Sequence, residues 1–371
     1  AVTCAKRAGE NILVTGSIGP TGRLMPPMGE FTFTEAVAVF QEQAAALAAA
    51  GADLISLETF ADLMEVRAAF IGARRALAAT GKRIPIIVQM TYDANGRTLT
   101  GSTPQVIAGA FSSLYPLAVG CNCGMGPRQM LGVVHAYAAA AMAPVVALPN
   151  AGLPELENGK TVFRMSPEEY AAGALEIIRA GARFIGGCCG TTPAHIAALT
   201  ARLKGVVCPP DPQPVSGTVI TSRRRVVVLG TGHPFAVIGE RINPTGKPEL
   251  QNALKARKLD LVAHEAREQG QQGANLLDVN VGAPGVDESA MLPAAVATVE
   301  GAIDLPPVID TTSYEAFAAA LARCPGKPLV NSVSAEPEKL EKWLPVVKEF
   351  GAATIVLALQ GKSLPTNVAE R

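Results

Sequence analysis

Three cysteines carry the most reactive chemistry in this sequence. Cys188 and Cys189 stand side by side in "ARFIGGCCGTTPAHI" (182–196), and Cys123 lies in "GCNCGMGP" (120–127). Adjacent cysteines bond to each other only under strain, because the backbone holds their sulfurs poorly for the required dihedral. They either fill space as small buried hydrophobes or point at something together. Three thiolates on one rim would suit zinc, which takes Cys or His ligands tetrahedrally and keeps one position open in a catalytic site. Gly186, Gly187 and Gly190 permit the sharp turn that two neighbouring ligands need. Cys121 would share a strand face with Cys123 and stays a candidate ligand.

The elements around these residues follow a regular rhythm. Six short apolar runs, "ILVTGSIG" (12–19), "DLISLETF" (53–60), "IPIIVQMT" (84–91), "LAVGCNC" (117–123), "PVVALPN" (144–150) and "ARFIGGCC" (182–189), alternate with Ala-rich helical stretches. Continuous apolar runs of this length predict strands buried on both faces of a parallel sheet. "SPEEY" supplies Ser166 as N-cap, Pro167 at the first helical position and Glu169 to close a capping box; Thr192 and Pro193 repeat the device. Such units build either a doubly wound sheet or a (β/α)8 barrel. Glu58, Thr59, Thr91, Asn122, Cys123, Asn150, Cys188 and Cys189 all fall at the C-terminal ends of runs, which favours a barrel with one functional mouth.

A Pro-rich stretch, residues 205–235, breaks the rhythm and reads as a linker with one short added strand at "RRVVVL". A second series follows: "AVIGERIN" (236–243), "LLDVNVG" (276–282), "PPVIDTTS" (306–313), "PLVNSVS" (328–334) and "TIVLAL" (354–359). Glu240, Asn243, Asp278, Asn280, Asp310 and Asn331 again mark the C-terminal ends. The expected architecture is α/β, with two consecutive TIM-type (β/α)8 barrels over 1–204 and 236–371. The first would lack its initial strands and the second would stop after about five. The start at Ala1 and the end in "LPTNVAER" fit that reading of a fragment.

Composition narrows the function classes. The chain has 371 residues, 49% hydrophobic and 17% charged, enough for sizeable cores in two or three domains. Its formal net charge is zero and its one basic run is "SRRRVVV", which argues against nucleic acid or an anionic membrane as partner. No apolar run reaches the roughly 18 to 20 residues that span a bilayer, and the first residues lack a signal-peptide core. Seven cysteines in a chain this long are no disulfide framework and fit a reduced, cytoplasmic compartment.

"GGCCGTTPAHI" together with "GCNCGMGP" resembles the zinc-binding signature of the homocysteine S-methyltransferase family, and "GSIGPTG", "LETFADLMEVRAA" and "MTYDANGRTLTG" resemble its intervening segments in order. That resemblance covers residues 1 to about 205. It implies Cys123, Cys188 and Cys189 as zinc ligands, Glu58 at the amino group of homocysteine, and Asn150 close to the metal. "VIGERINPTG", "LLDVNVGAPGVDE", "VIDTTSYEAF" and "VNSVSAE" resemble a pterin-binding barrel that takes methyltetrahydrofolate. By motif, Glu240, Asn243, Asp310 and Asn331 would contact the pterin, with Asp278 and Asn280 nearby. Carboxylate and amide side chains suit the donors and acceptors of a pterin edge.

The order of the two barrels resembles the N-terminal half of the cobalamin-dependent methionine synthase family. It implies that a zinc-activated homocysteine thiolate takes a methyl group from methylcobalamin, which methyltetrahydrofolate reloads. No cobalamin-binding signature stands in the sequence, so the corrinoid would come from a separate domain or protein. The Asp-Gly loop that the family carries on its first strand is absent, and activity is expected of the longer arrangement more than of these residues alone. Two other readings stay open: a non-catalytic zinc barrel with a fourth protein ligand, and a corrinoid methyltransferase with a different donor or acceptor. A fusion to a methylenetetrahydrofolate reductase fits "GERINPTG" less well. His135 and His264 read as helix residues, His195 as support for the turn before it, and Cys4, Cys208 and Cys324 as unreactive.

Overall fold

The computed structural model describes residues 1–9, 11–210, 212–213, 215–359 and 366–368. The chain forms two compact units, Ala1–Ala108 with Tyr115–Pro214, and Gly109–Leu114 with Val215–Arg371.

Along the first part of the chain, α1 (Val2–Ala5) precedes β1 (Thr15–Ile18), α2 (Phe33–Ala49), β2 (Leu54–Phe60), α3 (Leu63–Thr80), β3 (Ile86–Met90), α4 (Pro104–Phe111), β4 (Ala118–Asn122), α5 (Pro127–Ala140) and β5 (Val145–Leu148). A hairpin of β6 (Glu155–Glu157) and β7 (Lys160–Val162) follows, then α6 (Pro167–Arg179), β8 (Ala182–Ile185) and α7 (Pro193–Arg202). The sheet order is β1-β2-β3-β4-β5-β8, every neighbour parallel. Strand order that rises steadily with sequence is the order of a (β/α)8 barrel; a doubly wound sheet would reverse. All six predicted runs therefore form neighbouring strands. Ile55, Ser56 and Leu57 of β2, Val88, Gln89 and Met90 of β3, and every residue of β4 are buried, so both sheet faces are covered there.

Helix starts follow the local chemistry. The capping box of Ser166 and Glu169 forms at α6, and a second, Thr32 with Glu35, opens α2. At α7 the third residue is His195, not an acid. Its Nδ1 lies 3.2 Å from the Thr192 amide and its Nε2 lies 3.0 Å from the Met165 carbonyl oxygen, so it does support the turn. His135 and His264 are exposed on α5 and on a helix of the second unit.

The second unit has β9 (Thr218–Thr221) and β10 (Val226–Leu229), then β11 (Ile238–Ile242), α8 (Pro248–Lys255), α9 (Asp260–Gln271), β12 (Leu276–Val279), α10 (Glu288–Ala302), β13 (Pro307–Asp310), α11 (Tyr314–Arg323), β14 (Leu329–Ser334), α12 (Pro337–Phe350) and β15 (Ala353–Leu357). β11 to β15 form one parallel sheet in sequence order. The stretch read as a linker holds two antiparallel strands, not one, with Val226 opposite Thr221. Ile220 of β9 is fully buried against Leu276, Val308 and Leu329. Those three begin or nearly begin their strands, so the β9–β10 hairpin plugs the N-terminal end of this sheet and leaves the C-terminal ends to the polar residues. Among the described residues, no helix is long and apolar enough to cross a membrane.

Candidate functional site

The sulfurs of Cys123, Cys188 and Cys189 lie within 4.8 Å of one another, and those of Cys123 and Cys189 are 3.7 Å apart. The local backbone explains how three thiols converge. β4 ends at Asn122, and Cys123 then turns into the left-handed region at φ 61°, held by its amide donating to the Leu148 carbonyl at 3.1 Å. β8 ends at Ile185, so "GGCC" is a loop on the rim and no part of the strand. The Cys188 amide donates to the Pro149 carbonyl at 2.9 Å, while the Thr191 amide and hydroxyl both donate back to the Cys188 carbonyl. Gly190 sits at φ 78°, and a Cβ there would lie 2.3 Å from Phe163 of the loop after β7. The turn therefore needs glycine for two reasons, backbone sign and space.

Burial, reinforced by the neighbouring Cys123 and Cys189 sulfurs, pushes the Cys188 thiol up to about 12. Burial also raises Cys189, where Cys123 adds to the effect. Cys188 and Cys189 thus resist ionisation side by side, a resistance that a soft dication would reverse, since a metal deprotonates the thiol it binds. Three sulfurs of this spacing fit the ligand chemistry of zinc. Cys121 stands apart from the group: it is 1% exposed, and burial raises its thiol beside the buried Tyr92–Tyr137 pair. The left-handed turn at Cys123 breaks the strand alternation that would have given the two sulfurs one face.

Asn150 is 3% exposed, and its Oδ1 accepts from the Cys189 amide at 3.1 Å, which ties it to the cysteine turn. Glu58 lies near the end of β2 and accepts from Ser17 Oγ of β1 and from Ser56 Oγ, the latter at 2.9 Å. Gln89 Nε2 donates to Ser56 Oγ at 2.8 Å from inside β3. These supporting side chains are invisible in the sequence reading, apart from one cue: Ser56 and Gln89 are polar residues within apolar runs.

In the second unit the predicted polar residues meet in pairs. Asn331 Nδ2 donates to Asp278 at 3.1 Å, and Asn280 Nδ2 donates to Asp310 at 2.8 Å. Asp278 is 2% exposed, and burial raises its carboxyl to about 7, with the Asp310 and Glu240 charges adding to the rise. Glu240 is exposed in the middle of β11, not at its C-terminal end as the sequence suggested, because the strand runs on through Arg241 to Ile242. Asn243 does something more local: its Oδ1 accepts from the Thr245 amide at 3.0 Å and shapes the loop after β11. A further pair was missed, Thr311 just after β13 donating to Glu288, the first residue of α10, at 2.7 Å.

Comparison with known proteins gives two family matches: "Homocysteine S-methyltransferase" over residues 1–203 and "Pterin binding enzyme" over residues 239–370. The methionine synthase of Mycobacterium leprae (strain TN) is 33% identical over 376 residues, which cover 96% of this chain and 30% of that protein. The methionine synthase of Mycobacterium tuberculosis (strain ATCC 25618 / H37Rv) is 33% identical over 93% of this chain and 29% of its own length. The chain thus spans about 30% of the length of the curated relatives it matches. The apo homocysteine methyltransferase MmuM of Escherichia coli is a solved structure with 25% identity and a TM-score of 0.41, covering 54% of this chain and 67% of its own. With the first match extending over more than half of its residues, this chain belongs to the homocysteine S-methyltransferase family.

Proposed function

We propose that this chain methylates homocysteine with a methyl group that originates on methyltetrahydrofolate. On this reading residues 1–204 are the homocysteine barrel, 205–235 the connection and 236–371 the pterin barrel. The observation that carries the reading is the convergence of Cys123, Cys188 and Cys189 in the unit that matches the family. Those three cysteines would hold zinc, which when bound supplies a Lewis acid that keeps the sulfur of homocysteine a thiolate near neutral pH. Glu58, aimed by Ser17 and Ser56, would take the ammonium group of the amino acid as an ion pair. Asn150 orients the Cys189 end of the turn beside it.

In the second unit Asp278, Asp310, Asn280, Asn331, Glu240 and Asn243 would meet the pterin. An ionised Asp278 accepts two hydrogen bonds from an amino-pyrimidine edge, and a carboxyl near neutrality can ionise for a ligand that rewards it. Net transfer makes a sulfur–carbon bond and breaks the nitrogen–methyl bond, with that electron pair left on the folate. We assign cobalamin to a separate module, and the cytoplasm as the reducing setting that free thiols require.

Elemental analysis of the purified chain and of Cys188→Ser tests the reading. About one zinc per chain, lost in the variant, is expected. A folded sample without zinc after purification and re-addition overturns it.

A further inference from the structure

We propose that Asn122 is a positioning residue that couples the carboxylate end of the homocysteine site to its sulfur end. The inference rests on the homocysteine reading above and adds to it a residue with no contact to substrate.

Asn122 is the last residue of β4 and is 2% exposed. A buried side-chain amide is costly unless its groups are bonded, and the bonds of this one go to two places. On one side, Oδ1 accepts from the Thr59 amide at 2.7 Å and Nδ2 donates to Thr59 Oγ1 at 2.8 Å. On the other, Nδ2 donates to Cys188 Sγ at 3.8 Å. Asn122 therefore touches a residue 63 positions before it and one 66 positions after it.

Thr59 explains why the first contact matters. It has φ 65°, a conformation that a β-branched residue adopts only when its surroundings force it. The register of β2 on β3 shifts between Leu57 and Phe60, so the strand kinks at this point. Glu58 is the residue just before Thr59, and the kink sets the direction in which its carboxylate leaves the strand. The two hydrogen bonds from Asn122 pin the kink from both the amide and the hydroxyl of Thr59.

The second contact acts on electronic character. A hydrogen bond donated to a thiolate is charge-assisted and draws density from the sulfur. Cys188 then binds a metal as a weaker donor, which leaves the metal more electron-demanding toward an incoming thiol. One amide thus fixes where the ammonium partner points and how strongly one ligand sulfur donates.

The test uses cobalt(II) as the probe, in the full chain. Its sulfur-to-metal charge-transfer band reports thiolate donor strength, and homocysteine titration into the cobalt-loaded protein reports affinity. Asn122→Ala is expected to keep one cobalt per chain, move the band to lower energy and weaken homocysteine about tenfold, the scale of one lost buried hydrogen bond. Asn122→Asp keeps the acceptor for the Thr59 amide and loses the donor, so it is expected to move the band while leaving affinity closer to that of the unsubstituted chain. Adding Thr59→Gly to Asn122→Ala lets the kink form without help and is expected to recover affinity while the band stays shifted. A band unmoved in folded, cobalt-loaded Asn122→Asp overturns the sulfur contact. Affinity unchanged in Asn122→Ala overturns the coupling to Glu58 through Thr59. If the unsubstituted chain takes up no cobalt, the metal reading itself falls, and the inference falls with it.

Discussion

Cys121 is a buried thiol on β4 and Cys188 a half-buried one in the turn after β8, and the structure gives them different chemistry. Cys188 meets two other sulfurs and an amide, whereas Cys121 is packed beside the Tyr92–Tyr137 pair. Cys121→Ala should therefore leave zinc at about one per chain and cost stability on the order of 1 kcal/mol, the price of a small buried group; a metal assay with a denaturation curve checks both. Asp278 makes a pH prediction whose sign follows from its raised carboxyl. An unfolded aspartate ionises near 3.8 and this one near 7, so between those values the native state holds an extra proton. Stability should fall as pH rises through that window and stay low above it. Asp278→Asn should flatten this fall, read as melting temperature against pH. The three ligand candidates were legible because cysteine is rare and its chemistry narrow. Asn122 was legible only as a strand-end residue, and Ser17 not at all, because their partners lie tens of residues away where no local pattern names them.

At the scale of elements, strands were easier to read than their ends. Every apolar run became a strand, but "ARFIGGCC" supplies only Ala182–Ile185 to the sheet, since two glycines and the bonds onto the Cys188 carbonyl pull the cysteines out as a turn. The β6–β7 hairpin went unread although Asn158 and Gly159, at φ 50° and 74°, form the dipeptide that such turns favour. Its strands are polar and three residues long, too short for an alternation to stand out. The β9–β10 hairpin was half-read for a similar reason: prolines nearby suggested a linker, and only the burial of Ile220 against three strand starts makes it part of a core. Phe163, just after β7, packs on Gly190, which makes a clear demand on the turn. Gly190→Ala should destabilise the first unit by about 1–3 kcal/mol through overpacking and lower metal occupancy; calorimetry beside a metal assay would show both.

On the scale of the whole chain, the two strand series read correctly as two parallel α/β units because each repeats the same buried run and polar end. The ligands proposed for them are different, so each should protect its own unit. A ligand at about a hundredfold over its dissociation constant adds about 2.7 kcal/mol to the state that binds it. Zinc should raise the melting of the unit with Cys123, methyltetrahydrofolate that of the unit with Asp278, and a chelator should reverse only the first. Hydrogen exchange read separately over the two units distinguishes these outcomes; uniform protection by either ligand would contradict the assignment.

The sulfur trio has one more property, which concerns how the sheet is assembled. Cys123 follows β4 and the Cys188–Cys189 pair follows β8, with β5 hydrogen-bonded between them. A slip of one residue along either strand displaces its end by about 3.3 Å and reverses its faces, which is enough to scatter sulfurs now within 4.8 Å of one another. Metal capture at the proposed site would thus work as a gauge of alignment: only chains whose three strands have settled in the native register could close it. Metal uptake during refolding should lag collapse and coincide with the completion of that part of the sheet.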